Sequence, residues 1–178
     1  RAALITHKAS GERFDTLDFS IAGDANQMVL HASDYRLARP VLVDVSNDST
    51  ADTLFSLAFA AGMDIVTANK APLSGEFEIY EQMVGPANLE RLLRAESTVG
   101  AGLPVLDTIQ MLRATGDKVH RIEGCLSGTL GYVCDRLEQG DRLSSIVREA
   151  QENGYTEPDP ALDLSGVDVG RKALILAR

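Results

Sequence analysis

The residues best placed to do chemistry lie in one stretch, GYTEPDPALDLSGVDVGRK, from Gly154 to Lys172. It carries carboxylates at Glu157, Asp159, Asp163 and Asp168 and ends on Lys172. On a helix, Asp168 and Lys172 are four residues apart, so their side chains share one face and can meet the same small molecule. A lysine ammonium held by a carboxylate can donate a proton to an oxygen that is gaining negative charge. Arg171 cannot take that part, because its guanidinium stays charged and points about 100° away around the helix. Spacing alone leaves a second reading open, an i,i+4 ion pair contributing only about 0.2–0.5 kcal/mol.

The surrounding residues predict how this pair is presented. Pro158 and Pro160 fix φ and remove two backbone donors, which predicts an ordered, non-helical loop over Gly154–Ala161. Ser165 reads as an N-cap, with Asp168 three residues on completing a capping pattern. Beyond Lys172 the run ALILA predicts a buried helix.

The rest of the chain alternates strand and helix. Ala2–Thr6 is an apolar run of strand length, and a short helix is expected around Ala25–His31. Val41–Val45 (VLVDV) is the clearest strand and ends in the polar group Ser46 to Thr50. A helix over Ala51–Ala61 follows, with Gly62 as its stop. Asp64–Ala68 is the next strand, then Asn69-Lys70-Ala71-Pro72, a helix near Glu76–Val84, and a strand over Arg91–Ser97. Parallel βαβ units of this kind build a doubly wound sheet that takes ligands at the carboxyl ends of its strands, where Ser46 and Lys70 stand. After the glycine-containing turn Thr98–Pro104, a helix is expected to about Thr115, a strand over Lys118–Cys125, a helix over Leu130–Gln139 capped by Ser127-Gly128-Thr129, and a helix over Leu143–Glu152.

Composition narrows the function classes. A net charge of −9 offers no basic stripe to nucleic acid or to an anionic membrane. Cys125 and Cys134 lack CxxC spacing and clustered histidines, so neither a zinc nor a redox motif is expected. No apolar run reaches the length of a membrane span and the N-terminus has no signal-peptide pattern, which makes the cytoplasm the expected location.

The full motif, G-Y-T-E-P-D-P followed by Asp163, Gly166, Asp168 and Lys172, resembles homoserine dehydrogenase. VLVDVS, ANKAPL, ESTVGAGLP and GCLSGTLGYV extend the likeness, in order, from Val41 to the end. The resemblance implies an α/β chain: a partial Rossmann-like nucleotide-binding domain over residues 1–103 and part of an α+β catalytic and dimerisation domain over 104–178. It implies an oxidoreductase that interconverts L-homoserine and L-aspartate 4-semialdehyde, in threonine and methionine biosynthesis, with NADP or NAD as cofactor. Lys172 would be the acid/base and Asp168 would hold and polarise the substrate. Glu157 would bind its ammonium group, with Tyr155 and Asp163 lining the site. Lys70, Ser46 and Gly154 would contact the cofactor, and Lys8, a basic group after a strand, points to NADP. A sodium ion would sit on backbone oxygens at Glu96, Val99, Ala101 and Leu103. A homo-oligomer is also implied.

Two departures stand beside the likeness. The family opens with a G-x-G-x-x-G turn that this chain lacks, and Ala161-Leu162 replaces residues that are more polar in many relatives. With Arg1 at its start and an apolar helix at its end, the chain reads as a fragment expected to turn over poorly alone. Fusion to an aspartate kinase domain is left open. So are a Rossmann dehydrogenase for another small aldehyde and a non-catalytic interaction module.

Overall fold

The structure, a computed structural model, describes residues 6, 9–11, 24–85 and 90–178. The first helix described in full, α1 (Ala25–Asp34), is capped by Asp24, whose side chain accepts the Gln27 N–H at 2.9 Å. Three strands follow in parallel, β1 (Val41–Asp44), β2 (Asp64–Thr67) and β3 (Leu93–Arg94), in the order β1-β2-β3. Val41 pairs with Asp64 and Ile65 with Leu93. Period-two alternation puts Leu42, Asp44, Ile65 and Thr67 inside and leaves Val41, Val43 and Val66 on an exposed face.

Between β1 and β2 runs α2 (Ala51–Ala60), which buries Ala51, Phe55, Ala58 and Phe59, one stripe at helical spacing. That stripe packs with Val29, Leu42, Met63, Ile65 and Met83 into the first core. Gly62 ends the helix at φ 77°, a left-handed conformation open to glycine. After β2 come α3 (Ala71–Ser74), a single turn, and α4 (Phe77–Val84).

The second half is helical in its described elements: α5 (Val105–Ala114), α6 (Gly128–Glu138), α7 (Leu143–Glu152), α8 (Pro160–Leu164) and α9 (Val167–Ala177). A second core joins the two halves, with Ile175 and Leu176 of α9 packed with Leu73 of α3 and Val99. Arg178 secures the same contact, its guanidinium donating to the carbonyls of Leu73 at 2.7 Å and Gly75 at 2.8 Å while lying over the Tyr80 ring. These contacts dock α9 on the segment that follows β2, and so bring Asp168 and Lys172 to Lys70.

Several expectations change. Arg91–Ser97 is strand only at Leu93–Arg94; Glu96–Thr98 is a 3-10 turn, closed by the Thr98 hydroxyl donating to the Ala95 carbonyl at 2.7 Å. Lys118–Cys125 forms no strand among the described residues, because alternation without a neighbouring backbone to pair with does not make a sheet. The loop expected over Gly154–Ala161 stops at Asp159. There Pro160 opens α8, a position where a missing N–H is harmless, and the Asp159 carboxylate accepts the Ala161 N–H. Ser165 is not the N-cap of α9 but the C-cap of α8, and Gly166 at φ 70° makes the break between the two helices. Only Ile175 and Leu176 of ALILA are buried, since Ala173 and Leu174 lie on the outer side of the helix. Thr6 is helical, its carbonyl accepting the Ser10 N–H, rather than the end of a strand. The remainder of the Ala2–Thr6 run, and Lys8, lie outside the described residues.

Candidate active site

Asp168, in the first turn of α9, stands between two lysines. Its Oδ2 is 2.7 Å from Lys172 Nζ and its Oδ1 is 3.1 Å from Lys70 Nζ. Lys172 also donates to the Leu126 carbonyl at 2.8 Å, so two of its three ammonium protons have acceptors and one remains for a ligand oxygen. α9 supplies one end of this bridge and the loop after β2 supplies the other. Leu126 comes from the segment leading into α6.

Burial is the largest single influence on Asp168 and pushes its carboxyl pKa up. The hydrogen bonds and charges of Lys172 and Lys70 together outweigh it, and the net shift is downward. The carboxylate therefore stays charged through the neutral range, holding two cations.

Lys70 and Lys172 open on a cleft of about 330 Å³ lined by Ser97, Thr98, Gly100, Ala101 and Ser127, a size suited to a small molecule or one ring of a larger one. Larger concavities lie elsewhere, one of about 680 Å³ beside Val119, Ile122 and Val169. It is also lined by Arg113, His120, Arg121 and Glu123, of which the last two pair with each other, whereas the smaller cleft is the one on which Lys70 and Lys172 both open.

A second cluster adjoins the first through the start of α6. Ser127 caps that helix by accepting the Leu130 N–H at 3.1 Å. Two residues on, Thr129 donates its hydroxyl to the Tyr155 carbonyl at 2.6 Å and lies 3.3 Å from Asp163 Oδ1. Asp163 Oδ2 accepts the Glu157 N–H at 2.8 Å. Tyr155, Glu157 and Asp163 are thus brought together: Asp163 shapes the loop through Oδ2, while its Oδ1 lies near a Thr129 hydroxyl whose one proton goes to the Tyr155 carbonyl. The Glu157 side chain is exposed. Tyr155 packs edge-on against Tyr132, ring centres 5.3 Å apart. Gly154, at φ 71°, terminates α7 with its N–H on the Gln151 carbonyl, and a Cβ there would meet nothing within 4 Å. Its glycine is explained by backbone conformation rather than by close approach to another group of the chain.

Of the remaining candidates, Ala101 lines the cleft and the others stand outside its lining. Ser46 lies just past β1, its N–H on Asp44 Oδ1 at 2.9 Å and its hydroxyl accepting from Asp48 at 3.2 Å. Glu96 directs its carboxylate to the start of α5, accepting the N–H groups of Leu106 and Asp107, both at 2.9 Å. Val99 is buried, Ala101 holds φ 53°, and the carbonyls of Glu96 and Leu103 each accept one local N–H. Among the described residues there is no cluster of three or more metal-binding side chains and no helix long and apolar enough to cross a membrane. Sequence reasoning missed the Leu126 carbonyl, which has no signal in residue type, and the loop-holding part of Thr129, which had been read only as a helix start.

Residues 104–178 match the family model described as homoserine dehydrogenase. A homoserine dehydrogenase of Paracoccidioides brasiliensis is 42% identical over 149 residues, which are 79% of this chain and 40% of that protein. Among solved structures, a Candida auris protein of unknown function superposes with a TM-score of 0.80 at 34% identity, over 93% of this chain and 48% of that one. A hyperthermophilic archaeal homoserine dehydrogenase in complex with NADPH gives 0.77 at 26% identity, over 98% and 52%. The chain spans about half the length of these proteins or less. On these matches, the chain belongs to the homoserine dehydrogenase family.

Proposed function

We propose that this chain carries the proton-transfer centre of an enzyme that interconverts L-homoserine and L-aspartate 4-semialdehyde with NAD(P). The observation that carries the reading is the Asp168 carboxylate bridging Lys70 and Lys172 at the mouth of the cleft. A nicotinamide dinucleotide, when bound, exchanges the hydride. Lys172 donates a proton to the aldehyde oxygen as it becomes an alkoxide, and takes it back in the oxidation. Asp168 and the Leu126 carbonyl aim the ammonium, and Glu157 pairs with the substrate's amino group. Asp163 and Thr129 set the Tyr155–Glu157 loop beside it.

The residues fit such a cofactor. Ser46 and Lys70 follow the carboxyl ends of neighbouring parallel strands, the place where doubly wound sheets take nucleotides, and Lys70 also lines the cleft. Lys8 is the proposed selector of NADP. Gly154, its amide engaged in ending α7, remains a candidate for the nicotinamide side. A sodium ion would be held by the backbone oxygens of Glu96, Val99, Ala101 and Leu103, each carbonyl keeping a lone pair for it, while the Glu96 carboxylate is committed to α5. The division into 1–103 and 104–178 is supported by a first core drawn wholly from residues between Val29 and Met83. The exposed Val119 and Ile122, in a segment that is neither helix nor strand, favour a homo-oligomer.

The test is homoserine-dependent reduction of NADP and of NAD by a purified full-length enzyme that includes this chain, with other small hydroxy amino acids as comparison. The reading expects turnover with homoserine above the others, and equal turnover with all of them would remove it.

A further inference from the structure

Asn69 stands one residue before Lys70 and is 3% exposed, yet its N–H and both ends of its side-chain amide are bonded. The N–H donates to the Thr67 hydroxyl at 2.9 Å, Nδ2 donates to the Asp48 carbonyl at 2.8 Å, and Oδ1 accepts the Ala71 N–H at 3.0 Å. Thr67 Oγ1 is in turn 3.4 Å from Asp44 Oδ2, and the other oxygen of that carboxylate accepts the Ser46 N–H. Thr67 and Asp44 are also buried. A buried amide so fully satisfied fixes one geometry, because each misplaced bond would leave a polar group without water or partner.

Two consequences follow for the site. The Asn69 side chain holds the Ala71 N–H just after Lys70, and Thr67 holds the Asn69 backbone N–H just before it, which together fix where the lysine leaves the chain. The Asn69 side chain also ties the Ser46–Asp48 loop, after β1, to the loop after β2. Lys70 has four rotatable side-chain bonds, and reaching Asp168 at 3.1 Å depends on a fixed starting point.

We propose that Asn69 is a positioning residue, acting through Lys70: it holds the Lys70 backbone so that the ammonium reaches Asp168, and it keeps the Ser46–Asp48 loop in the same frame. The proposal rests on the functional reading of the Lys70–Asp168–Lys172 bridge.

The experiment is a double-mutant cycle on Asn69→Ala and Lys70→Ala, read in two ways. The first readout is the Asp168 carboxyl titration, followed by NMR. Both single variants should raise its midpoint, because one ammonium no longer sits on the carboxylate, and the double variant should match Lys70→Ala. The second readout is kcat for homoserine oxidation, expected to fall about 10- to 100-fold in Asn69→Ala, with the double variant within about twofold of Lys70→Ala. A midpoint unchanged from wild type in Asn69→Ala, or effects on kcat that multiply, would overturn the proposal. Should Asn69→Ala not fold, Thr67→Val removes the bond to the Asn69 N–H at constant shape. It is expected to shift the Asp168 midpoint in the same direction, with Thr67→Ser restoring it, and no shift in Thr67→Val overturns the proposal. The titration needs no turnover, so a wild-type protein inactive on homoserine would defeat the functional reading and leave the decision on Asn69 to the midpoints.

Discussion

Replacing Asp168 with Asn keeps the shape of the side chain and removes the charge that two lysines share. Asp168 has a lowered folded-state pKa, so its contribution to stability is fully present above the ordinary aspartate value of about 3.9 and is lost as the pH falls through the folded value. The contacts are close, 2.7 and 3.1 Å, but the side chain is 49% exposed and water screens much of the attraction. Exposed pairs contribute roughly 0.2–1 kcal/mol each, so two of them put the loss in Asp168→Asn at about 1 kcal/mol near neutral pH. Urea unfolding of wild type and variant, at neutral pH and across a series of acid pH values, measures it. The difference should be present at neutral pH and shrink towards zero as the pH falls through the lowered folded value, where the wild-type carboxyl itself takes up a proton. An equal difference at every pH would mean that the shape or hydrogen bonding of residue 168, and not its charge, holds the bridge.

Two further perturbations separate the neighbouring clusters. Asp163→Ala should free the Glu157 N–H and raise the KM for homoserine about tenfold with kcat changed much less, and faster hydrogen exchange at the Glu157 amide would confirm that the loop has loosened. Glu96→Ala should cost about 1–2 kcal/mol by uncapping α5, measured by chemical denaturation, whether or not sodium is present; a loss seen only in sodium-containing buffer would instead make the carboxylate an ion ligand.

Much of this architecture is readable from the sequence where local rules agree with the fold. VLVDV and DIVTA combine β-branched residues with neighbouring turn signals, and both are parallel strands. The stripe Ala51, Phe55, Ala58, Phe59 has helical spacing, and Gly62 ends it. The Asp168/Lys172 pair follows from a spacing of four. What escapes is set by partners distant in sequence. KVHRIEGC alternates only in part like a strand, and pairing depends on a second backbone that residue types do not announce. Ser165 and Asp168 satisfy a capping pattern, yet Gly166 takes the left-handed turn and the carboxylate finds two ammonium groups instead. Lys70 is legible as a strand-end residue, but its meeting with Asp168 depends on Ile175, Leu176 and Arg178 docking α9 on α3, contacts about one hundred residues apart. Asp163 is a site residue by resemblance, and only the fold reveals that its Oδ2 holds the Glu157 N–H and so sets the loop.

The central claim is that Lys172 moves the proton, and kcat of Lys172→Ala for homoserine oxidation, in a complete enzyme that includes this chain, tests it most directly. The account predicts a fall of at least about 10²-fold, the low end for general acid–base catalysis, with the KM for homoserine changed less and the unfolding midpoint close to wild type. A variant that kept near-native kcat and lost only stability would contradict the account and leave Asp168 and Lys172 as a structural ion pair.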